Sequence, residues 1–421
     1  MFLNSMKDSE TAKLVDEISS NPAPVILYGA GFYCRLGIGA LKNLNIQVDA
    51  ICDSDLDREG SYFCGYEIIS PKTLKTFDRE AHIFVVSIFV TPILQFLTSL
   101  GFRNIYDCTN LFENTDFSEI DLDDNSTGKD SDYGESRNIV NINRQIGLYK
   151  HEILKILPID SNELHLKYID IVITEACSMK CIDCSNLMQY YINPKHSDID
   201  ILFRSLDQVI TTVDHIYELR VLGGEPFVNK QIYKIIDKLV SYENVDKIVI
   251  YTNATIVPKE RNLSSLKNDK VFLDITDYGQ LSRNLDKLIG VLELNSISYI
   301  AKKPIWTDSG RILPFREKTK TELNQMFLNC CNNDVMTLLN GKIYRCPFSA
   351  NGTNIGAIPY NEDDIVDLSE EKDSKTLKSE LKSLYTEKDY LTACSYCNGR
   401  DYSTPKIVPA IQTKVPLPIP K

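Results

Sequence analysis

Two stretches of the chain alternate short apolar segments with segments of helical period, and this alternation constrains the fold more than any other feature. Strands that alternate with helices predict a parallel sheet covered by helices. The first stretch lies within residues 22–112 and the second within residues 165–315. The sequence therefore predicts an α/β protein with two such regions.

A polar and acidic segment, residues 113–138, separates the two stretches and has almost no apolar periodicity. Such a composition is typical of a linker. We therefore divide the chain into a Rossmann-like domain at residues 1–112, the linker at residues 113–138, a partial (β/α) barrel at residues 139–315, and a small irregular domain with a Pro-rich tail at residues 316–421.

Composition and charge exclude several classes of protein. The net charge of -12 argues against nucleic acid as a partner, because phosphate binding needs clustered Lys and Arg. The apolar runs fall short of the roughly 20 residues that a membrane helix needs. The N-terminal residues lack the pattern of a secretion signal. We expect a cytoplasmic protein with no membrane partner.

The strongest chemical signal is the first cysteine group, Cys177, Cys181 and Cys184, in the segment TEACSMKCIDCSN. It follows the predicted strand LKYIDIVIT and therefore lies at a C-terminal strand end, where α/β barrels place their chemistry. Three thiolates at this CxxxCxxC spacing can bind three corners of an iron–sulfur cube and leave the fourth iron open. A zinc site, the main alternative, needs a fourth protein ligand.

A second motif follows the next predicted strand, YELRVLGG. Gly223, Gly224, Glu225 and Pro226 form the sequence GGEP, and its glycines allow the backbone to approach a ligand closely. With CxxxCxxC after one strand and GGEP after the next, the chain resembles the radical S-adenosylmethionine (SAM) superfamily over about residues 165–315. The resemblance implies a 4Fe-4S cluster whose open iron binds SAM and whose reduction cleaves it to a 5′-deoxyadenosyl radical.

The same resemblance implies further contacts. It places the GGEP motif at the SAM ammonium group, and Thr252 and Asn253 are similar to the family's TNG segment, which contacts ribose or substrate. The chain departs from the family at Asp183, where most members have an aromatic or bulky apolar residue near adenine. Asp277 and Tyr278, which directly follow the predicted strand KVFLDIT, are candidates for substrate contact or proton transfer; a plain turn is the alternative.

Five more cysteines form the second cysteine group: Cys330, Cys331, Cys346, Cys394 and Cys397. The group resembles the opening hairpin and CxxC of the SPASM and twitch extensions of radical SAM enzymes, which bind auxiliary 4Fe-4S clusters. A hairpin that turns at Asn340-Gly341 brings distant thiolates together. No cysteine follows Cys397, which favours one auxiliary cluster, the twitch arrangement. A structural zinc is the alternative.

Cys330 and Cys331 are adjacent, and one cluster corner needs only one of them. We assign Cys331 as the metal ligand, together with Cys346, Cys394 and Cys397, although either neighbour can serve on sequence grounds. Cys330 is then a candidate catalytic hydrogen donor, because a thiol S–H bond is weaker than a typical sugar C–H bond. The alternative is a spare cysteine that only packs beside the cluster.

The N-terminal segment VILYGAGFYCRLG predicts a strand, a glycine-rich turn and a helix, which open a Rossmann-like unit. It lacks a full GxGxxG fingerprint because Cys34 stands at the last position. Its longer pattern is similar to the nucleotide-sugar-binding module of bacterial sugar acyltransferases. Gly29 and Gly31 would expose N–H groups to a diphosphate, and Asp53 would reach a ribose or base. An NAD-like ligand and a structural or docking domain are the alternatives.

These observations predict a radical SAM oxidoreductase or epimerase that acts on a polar small molecule, a sugar nucleotide or carbohydrate. Its expected cofactors are SAM, one 4Fe-4S cluster and a second, auxiliary 4Fe-4S cluster. We expect a flavodoxin or ferredoxin as its electron donor. A peptide-modifying maturase and a non-catalytic metal-binding scaffold are the alternatives.

Overall fold

The computed structural model describes residues 11–20, 22–117, 139–156, 162–401 and 404–420. The chain divides into two compact units, Met1–Ser161 and Asn162–Lys421. Of the predicted linker, residues 118–138 lie outside the described residues. No helix in the described part of the chain is long and apolar enough to cross a membrane.

The first unit is a helix-covered sheet in which most neighbouring strands are parallel. Its strands are β1 (Val25–Tyr28), β2 (Ala50–Cys52), β3 (Tyr62–Phe63), β4 (Tyr66–Ile69), β5 (His82–Val85) and β6 (Ile105–Tyr106). Its helices are α1 (Thr11–Ser20), α2 (Phe32–Asn43), α3 (Pro71–Leu74), α4 (Val90–Ser99), α5 (Thr109–Glu113) and α6 (Ile139–Leu154). The strand order is β3-β4-β2-β1-β5-β6, with only the β3–β4 pair antiparallel. The predicted Rossmann-like architecture is confirmed.

Helix α6 packs in the first unit, although the sequence analysis places it at the start of the barrel domain. Four of its apolar side chains lie in the same buried core as the N-terminal sheet: Ile142, Ile146, Tyr149 and Ile153. The hydroxyl of Tyr149 donates to the Val85 carbonyl at 2.6 Å and accepts from the Cys108 N–H at 2.9 Å. The apolar stripe of α6 is thus buried in the first core, although the composition of the preceding segment predicts a domain boundary before this helix.

The second unit is built on an eight-stranded sheet with the order β11-β10-β9-β8-β7-β13-β14-β15. Its strands are β7 (His165–Thr174), β8 (His215–Gly223), β9 (Val245–Thr252), β10 (Val271–Thr276), β11 (Tyr299–Lys302), β13 (Val335–Leu339), β14 (Lys342–Tyr344) and β15 (Ile365–Asp367), while β12 (Trp306–Thr307) and β16 (Lys406–Ile407) pair separately. Its helices are α7 (Ile199–Thr212), α8 (Ile232–Val240), α9 (Glu260–Leu266), α10 (Leu285–Leu294), α11 (Lys320–Leu328), α12 (Pro347–Asn354) and α13 (Ser374–Thr386). The strands from β11 to β13 in this order are all parallel, as the predicted (β/α) architecture requires.

The C-terminal hairpin extends the main sheet instead of forming a sheet of its own. Strand β13 pairs in parallel with β7 and antiparallel with β14. The connecting residues Asn340 and Gly341 have φ values of 48° and 76°, and Asn-Gly is the residue pair that best tolerates this two-residue turn. The predicted hairpin is confirmed, and the pairing of β13 with β7 places it next to the strand that carries the first cysteine group.

We expect residues 1–161 to fold as an isolated fragment, whereas residues 1–117, which lack α6, should not give a cooperative unfolding transition.

In the longer fragment, Tyr149→Phe should lower the free energy of unfolding by about 1–3 kcal/mol, because two buried backbone groups lose their partner. Chemical denaturation followed by circular dichroism measures both effects. Tyr62→Phe is the control, since Tyr62 is 59% exposed. Equal stability of the two fragments would contradict the assignment of α6 to this core.

Candidate active site

The first cysteine group lies in the loop that follows β7, as the sequence predicts. Strand β7 ends at Thr174, and Cys177, Cys181 and Cys184 come before the next regular helix, α7. Burial is the largest effect on each of the three thiols and raises their pKa values, that of Cys181 to about 11. Uncharged thiols are therefore favoured until a cation binds and displaces their protons.

Nitrogen donors surround these sulfurs. The Met179 N–H donates to the Cys177 sulfur at 3.4 Å, and the Asn253 side-chain amide lies 3.7 Å from the same sulfur. The Gln412 side-chain amide donates to the Cys181 sulfur at 3.2 Å. Hydrogen bonds of this kind stabilise a thiolate ligand and its metal. A donor set of three thiols with N–H partners fits the 4Fe-4S cluster that the sequence predicts.

The GGEP motif ends β8 directly against this loop. A Cβ on Gly224 would lie 2.1 Å from the Ala176 carbonyl oxygen and 2.7 Å from the Cys177 backbone nitrogen. A Cβ on Gly223 would lie 2.1 Å from the Thr174 carbonyl oxygen, and this residue has a φ of 149°. Only glycine fits at either position. The motif thus brings two neighbouring strand ends into backbone contact at the cysteines.

Glu225 is fully buried and faces the end of β9. Its carboxylate accepts hydrogen bonds from the Thr252 hydroxyl at 2.9 Å, the Asn253 N–H at 2.9 Å and the Phe227 N–H at 3.2 Å. Pro226 begins a short 3-10 turn after it. Burial raises the pKa of Glu225 to about 7. The structure therefore brings Thr252 and Asn253 together with the GGEP motif and gives Glu225 the task of joining β8 to β9.

Asp277 and Tyr278 follow β10, at the edge of the sheet where the carboxyl ends of the other parallel strands also lie. Burial raises the pKa of Tyr278, and electrostatic interaction with Cys184 and Cys181 adds a smaller effect in the same direction. Its ring lies 5.9 Å from that of Trp306 in an edge-to-face arrangement. An ion pair with Lys303 keeps the pKa of Asp277 low. Of the two residues, Tyr278 is the one whose pKa the first cysteine group affects.

Asp183, where the chain departs from the family pattern, has a defined partner. It forms an ion pair with Arg311, and the neighbouring Gly310 packs so closely that a Cβ there would lie 1.9 Å from the Asp183 carbonyl oxygen. The Gln189 side-chain amide donates to the Gly310 carbonyl at 2.7 Å. The sequence does not predict the packing of Gly310 and Arg311 against the cysteine loop. The unusual residue type at Asp183 is the one sequence feature that indicates it.

Four members of the second cysteine group line one small cavity: Cys330, Cys346, Cys394 and Cys397. The Cys346 sulfur caps the N-terminus of α12 and accepts from the Ser349 N–H at 3.2 Å. The Gly399 N–H donates to the Cys397 sulfur at 3.3 Å. Cys331 is exposed and does not line this cavity. The structure therefore groups Cys330 with the other three cysteines, whereas the sequence analysis assigns Cys331 to that set.

Arg400 links the two cysteine groups. Its guanidinium donates to the Ser185 carbonyl, next to Cys184, at 3.0 Å, and its side chain also lines the cavity of the second group. Burial raises the pKa values of Cys184 and Cys346, and the charge of Arg400 opposes both shifts. No motif marks this arginine in the sequence, so sequence reasoning did not find it.

The sheet face opposite the helices carries paired charges. Ile169 and Ile171 of β7 lie in the helix-covered core, so the intervening Asp170 points to the other face. Asp170 accepts from the Arg220 guanidinium at 2.5 Å, and that guanidinium lies 4.3 Å from the centre of the Tyr168 ring. The same face also carries the buried apolar side chains Val172, Leu222 and Leu339, so it combines a buried ion pair with an apolar cluster.

In the first unit, Asp53 supports the glycine turn. Its carboxylate accepts from the Ala30 N–H at 2.7 Å, and Arg58 lies 3.8 Å from the same oxygen. Gly29 has a φ of 114°, and Gly31 caps α2. The Asp53 carboxylate therefore already has hydrogen-bond and ion-pair partners at the turn. Nucleotide-sugar binding by this unit stays a prediction.

The described residues contain no group of three or more His, Cys, Asp or Glu side chains placed to hold a metal ion. The two cysteine groups fit iron–sulfur clusters through the kinds of groups that they contain: thiols that can bind iron, backbone and side-chain amide N–H groups that donate to sulfur, and one guanidinium.

Glu225→Gln should destabilise the apo-protein by about 1–3 kcal/mol, because either orientation of the amide sets an N–H against a buried donor. Since the folded pKa is raised from 4.5 to about 7, the wild-type carboxyl contributes stability below pH 4.5 that is lost as pH rises to about 7. The stability difference between wild type and variant should therefore shrink with rising pH. Urea unfolding from pH 5 to 8 measures it, with exposed Glu243→Gln as control. A difference that does not change with pH would refute the raised pKa.

Comparison with known proteins gives partial matches. No family model matches the chain. GTP 3',8-cyclase of Clostridium acetobutylicum is 32% identical over 152 residues, which cover 32% of this chain and 46% of the relative. GTP 3',8-cyclase of Desulforamulus reducens is 27% identical over 159 residues, with coverages of 33% and 47%. The chain thus spans about half the length of the curated relatives it matches.

Among solved structures, BtrN in complex with AdoMet and 2-DOIA has 14% identity and a TM-score of 0.38, covering 56% of this chain and 94% of BtrN. The fold is established by the strands described above rather than by this score. The matches cover about a third of this chain, and within the chain the cysteine loop and the GGEP motif meet at neighbouring strand ends. The matching relatives, the cysteine loop and the GGEP motif support a radical SAM enzyme with SAM and a 4Fe-4S cluster as its cofactors.

Proposed function

We propose that the protein is an oxidoreductase or epimerase that abstracts a hydrogen atom from a polar metabolite. The observation that carries the proposal is the backbone contact between the GGEP motif and the loop of the first cysteine group. When bound and reduced, the cluster supplies the electron that cleaves SAM into methionine and a 5′-deoxyadenosyl radical. The remaining steps depend on residues of this chain.

The strand ends have distinct roles in this proposal. Cys177, Cys181 and Cys184 hold the cluster, and the backbone of Gly223 and Gly224 approaches the SAM ammonium group. Glu225 keeps Thr252 and Asn253 in place through hydrogen bonds of 2.9 Å to each residue. Asn253 also reaches Ser178 of the cysteine loop at 3.2 Å, which supports a place for it beside SAM.

Tyr278 and Asp277 act differently on the substrate. Because burial raises the pKa of Tyr278, its phenol stays protonated near neutral pH and serves as a hydrogen-bond or proton donor. Because Lys303 lowers the pKa of Asp277, its carboxylate stays ionised and is a weak base. We therefore assign Tyr278 the closer contact with the reacting substrate and Asp277 a role in binding.

The second cysteine group holds an auxiliary 4Fe-4S cluster in this proposal, with Cys330, Cys346, Cys394 and Cys397 as its ligands. Their shared cavity supports this set. Cys331 then replaces Cys330 as the candidate thiol for hydrogen donation. In a dehydrogenation, a cluster held by these four cysteines would supply an acceptor for the electron that the substrate radical gives up when it loses a proton. In an epimerisation the substrate radical accepts a hydrogen atom on the opposite face.

The substrate class is a sugar nucleotide or other carbohydrate, which the resemblance of the N-terminal segment to a nucleotide-sugar-binding module supports. Nucleoside triphosphates are the second candidate class, because the curated relatives are named GTP 3',8-cyclase. A low-potential flavodoxin or ferredoxin is the proposed electron donor.

Anaerobically reconstituted protein should contain about eight irons per chain if both groups bind four-iron clusters. A variant with Cys177, Cys181 and Cys184 all changed to alanine should keep about half of the iron and lose SAM cleavage. Cys330→Ala should lose the other half, whereas the matched Cys331→Ala variant should keep full iron. Iron and zinc analysis by mass spectrometry measures this. About four irons with one zinc per chain would refute the auxiliary cluster.

Turnover should require a matching substrate. Incubation with SAM, dithionite and separate panels of sugar nucleotides, GTP and peptides should show 5′-deoxyadenosine release stimulated by one class of compound.

Tyr278→Phe should lower product formation by about 100-fold or more if the phenol transfers a proton, while slow SAM cleavage without substrate continues. Tyr360→Phe is the control, since Tyr360 is 53% exposed. Stimulation by peptides alone would overturn the small-molecule proposal, and an unchanged Tyr278→Phe rate would remove Tyr278 from the chemistry.

A further inference from the structure

A Pro-rich segment near the C-terminus lies across the loop of the first cysteine group. We call residues 405–417 the C-terminal strap. It is anchored at one end by β16, which pairs antiparallel with β12. Near its other end, the Leu417 N–H donates to the Gln189 carbonyl at 2.8 Å. The sequence predicts only an extended tail here, so these anchors are a finding of the structure.

The middle of the strap pairs with the backbone on both sides of Cys181. The Thr413 N–H donates to the Lys180 carbonyl at 2.6 Å, and the Ile182 N–H donates to the Ile411 carbonyl at 2.8 Å. Cys181 itself forms an isolated antiparallel bridge with Gln412. The strap therefore acts as a short strand partner for this one cysteine of the three.

The side chain of Gln412 continues this pairing onto the sulfur. Its carbonyl oxygen accepts from the Lys180 N–H at 2.8 Å, which fixes the orientation of the amide. The amide nitrogen then donates to the Cys181 sulfur at 3.2 Å and to the Ala410 carbonyl at 2.7 Å. Ala410 is buried and has a φ of 56°, the turn that directs Gln412 toward the loop.

We propose that Gln412 is a positioning residue for the cluster ligand Cys181, and that the C-terminal strap delivers it. An N–H donor to a ligand sulfur stabilises negative charge on the cluster, so it favours the reduced form and raises the midpoint potential. The backbone pairing holds Cys181 in place and slows loss of iron. The inference rests on the cluster in the first cysteine group and is independent of the substrate.

The test uses full-length reconstituted protein with Gln412→Leu and Gln412→Glu, and Ile419→Ala outside the strap as the control. Glutamate keeps an acceptor for the Lys180 N–H but loses the donor to sulfur. Redox titration of the electron paramagnetic resonance signal that changes on SAM addition reports the first cluster alone. Both Gln412 variants should show a lower midpoint potential than wild type and the control. Gln412→Leu should also lose iron to a chelator about tenfold faster.

A wild-type potential and a wild-type rate of iron loss in both Gln412 variants would overturn the inference. A second measurement does not depend on cluster loading: hydrogen exchange at the Ile182 amide of the apo-protein should be faster in a chain that ends at residue 404. Unchanged exchange would show that the strap does not pair with the loop. Absence of any SAM-sensitive signal in wild type would instead overturn the proposed function and this inference with it.

Discussion

The organisation of the site depends on one backbone contact, in which the end of β8 touches the loop after β7. No side chain fits at Gly223 or Gly224, because a Cβ at either position would overlap a carbonyl oxygen of the segment from Thr174 to Ala176. Once this contact is made, Glu225 turns into the protein and binds the end of β9. Contacts within the chain thus hold the ends of three strands in place. A cofactor that binds there does not have to order these strand ends first.

Burial of the thiols sets the electrostatics of both cysteine groups. It raises the pKa values of Cys177, Cys181, Cys346 and Cys394, so cluster assembly must release protons. Arg400 is close enough to both groups to offset part of this cost. A single guanidinium thus acts on one thiol of each group, Cys184 and Cys346.

Local patterns predicted much of this structure, and long-range packing decided the rest. Apolar alternation predicts both sheets, the Asn-Gly pair predicts the β13–β14 hairpin, and the cysteine spacing predicts where the first group lies. The apolar stripe of α6 is compatible with either core, so its partner cannot be read from its own residues. Cys330 and Cys331 are neighbours of the same residue type, so only the path of the backbone decides which of them lines the cavity. A hydrogen bond from the Cys331 N–H to the Arg400 carbonyl at 2.8 Å helps to fix that path. Arg400 and Gln412 belong to no motif, and only the folded chain brings them to the sulfurs.

The C-terminal strap and the loop it covers lie far apart along the chain, and this separation has a consequence during biosynthesis. The first cysteine group is complete by residue 184, whereas the strap begins at residue 405. At ribosomal rates of about 5–20 residues per second, roughly 10–40 s pass between the synthesis of the two segments. During that interval the nascent loop already carries its three thiols but has neither the backbone pairing nor Gln412. The order of synthesis therefore leaves Cys181 without its strand partner until the last part of the chain is made.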